Sequence, residues 1–86
     1  MNDILAEIQK ACAKVLCRTE TEVPADKRLI EDLGADSMDL SDIVMRLEDC
    51  FGVDLYNDDR LNRAKTPADL AQLVRLKIGE PAQVNN

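Results

Sequence analysis

A chain of 86 residues, 45% of them hydrophobic, can build one modest core and one domain. It contains no histidine, the side chain most used for acid–base work near neutral pH, so autonomous catalysis is not expected and the chain reads as a non-enzyme. Eleven basic against seventeen acidic residues give a net charge of −6, which disfavours nucleic acid and anionic membranes and favours proteins with basic surfaces.

The first segment repeats Ile4, Leu5, Ile8, Ala11, Cys12, Val15 and Leu16 at three- and four-residue spacing, which predicts an amphipathic helix with Asn2 or Asp3 as its cap. This start, MNDILAEIQK, has no basic region followed by an apolar run. No stretch of the chain approaches the roughly 18 apolar residues of a membrane span. A cytoplasmic protein without stable membrane insertion is therefore expected. Cys12, Cys17 and Cys50 form an odd set without CxxC or Cys/His spacing, so reduced thiols are expected, with Cys12 packed on the apolar stripe of the first helix.

From Arg18 to about Asp36 the periodicity fades and Pro24 interrupts it. Val23, Leu29, Ile30 and Leu33 are the residues available to pin this long first loop to a core. Loops of such length inside compact domains usually carry function, and this one leads to Gly34-Ala35-Asp36-Ser37. The following stretch places Leu40, Ile43, Val44, Leu47, Cys50 and Phe51 on one arc of a helix, with Asp36 and Asp39 spaced as a capping box and Gly52 as a left-handed stop. Val53 and Leu55 then return the chain to the core. A short helix around 58–64 is anchored by Leu61. Thr66, Pro67 and Asp69 open the last helix, Leu70, Leu73, Val74 and Ile78 supply its buried stripe, and Gly79 then Pro81 end it.

The expected fold is all-α, a small four-helix bundle of three longer helices and one short helix with a long first loop. Residues 1–79 form its one domain and 80–86 a flexible C-terminal tail without an apolar face. Calcium binding is not expected, since neither 32–43 nor 54–65 has the glycine and terminal glutamate of an EF-hand loop.

Chemistry concentrates in Asp32-Leu33-Gly34-Ala35-Asp36-Ser37-Met38-Asp39, where a serine stands at the passage from loop to helix. Without histidine no Ser-His-Asp triad can be assembled, and the stretch is not a G-x-S-x-G elbow, so Ser37 reads as an acceptor rather than a catalyst. A phosphate ester there would meet the positive end of a helix dipole, opposed at short range by Asp36 and Asp39. On its own, a serine after an aspartate at a helix start is most often only a cap residue. Met38, Asp42, Met45 and Asp49 share the helix face opposite the core arc. Adaptable methionines among carboxylates suit a surface that visits several basic partners, although a solvated face with scattered apolar residues has the same look.

The stretch Asp32 to Asp39, followed by the helix ending Leu47-Glu48-Asp49-Cys50-Phe51-Gly52, resembles the acyl carrier protein family. The similarity covers the first helix, the Leu29-Ile30-Glu31-Asp32-Leu33 approach, the acidic second helix and the closing helix after Thr66-Pro67. The resemblance implies that a phosphopantetheinyl transferase moves 4′-phosphopantetheine from coenzyme A to the Ser37 hydroxyl, with Mg²⁺ held by the transferase and Asp36 helping to position the encounter. It also implies that acyl groups ride as thioesters on the arm. Asp36, Met38, Asp39, Asp42, Met45, Glu48 and Asp49 would meet basic patches on acyl-loading, ketosynthase or acyltransferase enzymes, in fatty-acid, specialised lipid or polyketide biosynthesis. A monomer is the default for such a carrier.

The sequence departs from general fatty-acid carriers at Arg46, which interrupts the acidic helix, at Arg60 and Arg63, and at Ser41, whose position is commonly apolar. Arg46 is either half of an intrahelical pair with Asp42 or Asp49 or a recognition residue. These departures suggest a carrier dedicated to one pathway. A peptidyl or aminoacyl carrier tends to have Gly-Gly-His/Asp-Ser in place of Gly34-Ala35-Asp36-Ser37. An unmodified docking module would not need the Asp36-Ser37 pair.

Overall fold

The computed structural model describes residues 3–79, which are all-helical and without a strand. Three α-helices, α1 (Ile4–Leu16), α2 (Ser37–Phe51) and α3 (Pro67–Gly79), are joined by connections that each contain one 3-10 turn, at Glu20–Glu22 and Asp59–Arg63. The expected fourth helix is thus the second of these turns. Asp58 caps it by accepting from the Arg60 N–H, and its brevity suits the poorer hydrogen-bond geometry of a 3-10 helix. Asn2, Pro81 and the expected tail at 80–86 lie outside the described residues.

Helix ends follow local chemistry. Asp3 caps α1 by accepting from the Ala6 N–H at 3.3 Å. Its other end is a Schellman closure in which Cys17 N–H reaches Lys14 O and Arg18 N–H reaches Ala13 O, with Cys17 itself at φ 57°. Gly52, at φ 67°, stops α2 by donating to Glu48 O. At the start of α3, Thr66 Oγ1 accepts from the Asp69 N–H while Asp69 Oδ2 accepts from the Thr66 N–H.

Both α2 and α3 pack on α1 around an aliphatic core in which Ile8, Cys12, Val23, Leu29, Ile43, Leu47, Leu55 and Val74 are fully enclosed. Cys12 is packed as expected, and burial pushes its thiol pKa up to about 12. Three residues assigned to the core are exposed instead. Ile30 is the neighbour of Leu29 in a tight turn where Leu29 and Leu33 take the inward side. Cys50 lies at the edge of the α2 arc in the last turn, and Ile78 lies beyond the buried set of α3, which ends at Val74.

The long connection before α2 is held along its length. Val23, Leu29, Leu33 and Ala35 are buried. Its backbone is stitched to the rest of the molecule by Leu29 N–H to Lys65 O at 2.9 Å and Ala68 N–H to Ala25 O at 3.0 Å. Side chains add Gln9 Nε2 to Val23 O and Arg18 Nη2 to Leu33 O. Gly34, at φ 76°, makes the turn that delivers Ala35 to the core and Asp36 to the start of α2.

Candidate functional site

The first turn of α2 is fixed by a reciprocal capping box. Asp36 Oδ1 accepts from the Asp39 N–H at 2.9 Å, and Asp39 Oδ2 accepts from the Asp36 N–H at 3.1 Å. Ser37 follows as the first helical residue, exposed, and its hydroxyl has no hydrogen-bond partner among the described residues. The first i→i−4 bond of the helix runs from Leu40 N–H to Asp36 O, so the Ser37 and Met38 N–H groups have no carbonyl partner inside the helix. The box also directs one oxygen of each flanking carboxylate onto backbone. A free hydroxyl and two unclaimed amide groups at a positive dipole end fit a covalently attached phosphate ester.

Along the exposed side of α2, Met38 is 79% and Met45 60% accessible, with Asp42 and Asp49 also exposed. Arg46 Nε lies 3.5 Å from Asp42 Oδ1, so of the two pairings open to Arg46 the structure makes the one with Asp42. Glu48 is half-buried and has a partner within the fold: Oε2 accepts from both the Leu55 and Tyr56 N–H groups, at 2.8 and 2.9 Å. That clamp between α2 and the next connection is invisible in the helical spacing. Asp32 closes the turn before the site, its carboxyl held below the usual carboxylate range by the Arg28 backbone N–H and then by the Arg28 guanidinium.

A cavity of about 210 Å³ opens beside α2. The helix contributes Leu40, Ser41, Ile43 and Val44, the approach loop Leu29 to Glu31, and the second connection Tyr56, Leu61 and Asn62. Leu40 and Ser41 stand one helical turn beyond Ser37.

The family described as "Phosphopantetheine attachment site" matches residues 6–74 of this chain, a span that includes all of α2. Proteins called "Acyl carrier protein" are similar over nearly their whole length. The one from Exiguobacterium sibiricum is 35% identical over 75 residues, 87% of this chain and 94% of the relative. The one from Thermotoga maritima is 35% identical over 77 residues, 90% of this chain and 94% of the relative.

The chain belongs to the acyl carrier protein family.

Its prosthetic group is covalently attached 4′-phosphopantetheine, and the relatives it matches are carriers rather than catalysts. Among the described residues of this acyl carrier protein, no helix is long and apolar enough to cross a membrane.

Proposed function

We propose that Ser37 is the attachment point and that this acyl carrier protein moves acyl intermediates between cytoplasmic biosynthetic enzymes. One observation carries the reading: Ser37 presents an exposed hydroxyl without a partner at the start of α2, inside the matched span. When attached, the group supplies a terminal thiol that holds acyl cargo as a reactive thioester. Ser37 anchors it, the first-turn amides favour its phosphate, and Asp36 helps to position the transferase.

Met38, Asp39, Asp42, Met45 and Asp49, with Asp36 and the remaining oxygen of Glu48, form the face that basic partner patches meet. Each such contact acts more on encounter rate than on tight affinity and weakens with salt. The Arg46–Asp42 pair places a cation in the middle of this face. That pair is the intrahelical alternative for Arg46, so the reading of a carrier dedicated to a specialised lipid or polyketide route rests on the departures at Ser41, Arg60 and Arg63, and efficient turnover by ordinary fatty-acid enzymes would contradict it. Incubation with coenzyme A, Mg²⁺ and a broad-specificity phosphopantetheinyl transferase should add the mass of one phosphopantetheine to the wild type and nothing to Ser37→Ala. An unmodified wild type beside a modified control carrier would make the protein a docking module.

A further inference from the structure

We infer that the cavity beside α2 is built for acyl groups that carry a hydroxyl or keto oxygen along the chain, and that Ser41 is the residue that recognises this oxygen. The inference rests on the reading of Ser37 as the loaded position and adds the chemical class of the cargo. Ser37 and Ser41 are four residues apart in α2, so they share one stripe of the helix with Leu40 and Val44, and Ser41 is the hydroxyl that this stripe brings to the cavity wall. Around it the wall is aliphatic, from Leu29, Leu40, Ile43, Val44 and Leu70.

Ser41 is half-buried, and its hydroxyl has no hydrogen-bond partner among the described residues. It does not form the bond to the carbonyl four residues back, here that of Ser37, by which mid-helix serines commonly satisfy themselves. A saturated chain seated in the cavity would strip water from this hydroxyl and return nothing, a cost that falls on the complex. An oxygenated chain removes the cost. The serine hydroxyl donates to a keto oxygen and accepts from a hydroxyl, so one residue serves both oxidation states. Asn62, whose side chain is likewise without a partner among the described residues, adds an amide donor and acceptor to the same cavity from the second connection. Sites that hydrogen-bond a cargo oxygen discriminate against the analogue that lacks it, because their own polar group is then left unpaired. Acyl groups of this class are the products of carbon–carbon condensation and of ketone reduction, which places the carrier directly after one of those reaction types.

The test uses the phosphopantetheinylated full chain charged with octanoyl or β-hydroxyoctanoyl, as wild type and as Ser41→Ala and Ser41→Val. Intact mass first verifies loading, and a protein that never takes the arm at Ser37 would overturn the carrier reading together with this inference. Thioester cleavage by hydroxylamine is then measured, each rate divided by that of the corresponding free acyl-pantetheine. The wild type should protect β-hydroxyoctanoyl about fivefold more than octanoyl, the worth of one net hydrogen bond. In Ser41→Ala and Ser41→Val that preference should vanish or reverse, while octanoyl protection holds or rises. Equal protection of the two chains by the wild type, or a preference that survives both substitutions, would overturn the inference and leave the carrier reading standing.

Discussion

The two connections of this acyl carrier protein are held by different physics. The first, from Cys17 to Asp36, relies on burial of Val23, Leu29, Leu33 and Ala35 and on backbone bonds to distant segments. Its carboxylates, Glu22 with Thr19 and Asp32 with Arg28, close only local turns. The second connection, from Gly52 to Thr66, has Leu55 as its one fully enclosed side chain among the described residues, and two carboxylates, Glu48 of α2 and Asp58 of its own, tie it to the neighbouring helices. Glu48 ties α2 to Leu55 and Tyr56, and Asp58 joins Arg60 to Lys77 of α3. The segment that walls one side of the cavity is therefore fastened largely by ionised groups, and the segment that delivers Ser37 largely by apolar packing.

Substitutions at the two kinds of fastening should separate them. Leu29→Ala removes a core anchor of the first connection and is expected to cost about 2–5 kcal/mol, read as a lower urea midpoint for the whole domain. A loss confined to local amide exchange would contradict the central place of that anchor. Glu48→Ala leaves two backbone N–H groups without their acceptor and should cost about 1–3 kcal/mol. Its signature is faster hydrogen exchange at Leu55 and Tyr56, with Leu29 and Ala35 unchanged.

Asp58→Ala removes the cap of the second 3-10 turn and should cost about 1 kcal/mol at neutral pH. The Arg60 guanidinium, followed by the Arg60 backbone N–H and Lys77, holds the Asp58 carboxyl far below the usual carboxylate range. Its contribution is therefore complete above the unfolded value near about 4 and is lost as the pH falls toward the depressed folded value. Asp58→Asn should consequently give a flatter stability profile on the acid side than the wild type, and identical profiles would remove Asp58 from the account. The smallest effect is a gain. Cys17 occupies a left-handed position that favours glycine, so Cys17→Gly should raise stability by up to about 1 kcal/mol, seen as a small rise in Tm.

The same contrast explains what the sequence reveals. Helix starts and stops are legible at Asp3, Asp36 with Asp39, Gly52 and Thr66 with Asp69 because capping joins residues three or four apart. Ser37 stands out for the same reason, as the first helical residue after the Asp36 cap. Ile30, Cys50 and Ile78 were assignable to the core by composition and spacing, yet which apolar residue turns inward at a loop or a final turn depends on what packs over it. The stop at Cys17 carries no glycine signal. Glu48 belongs by spacing to an acidic helix, and its clamp on Leu55 and Tyr56 exists only once the chain has doubled back. The meeting of Ser41 with Asn62 across the cavity is hidden likewise, because α2 and the second 3-10 turn supply one each.

The chain contains two serines, Ser37 exposed at the helix start and Ser41 half-buried in the cavity wall. Fragmentation of the phosphopantetheinylated protein in a mass spectrometer assigns the added mass to one of them. The account predicts that fragments ending between the two serines place the whole modification on Ser37. A modification carried by Ser41 would contradict it.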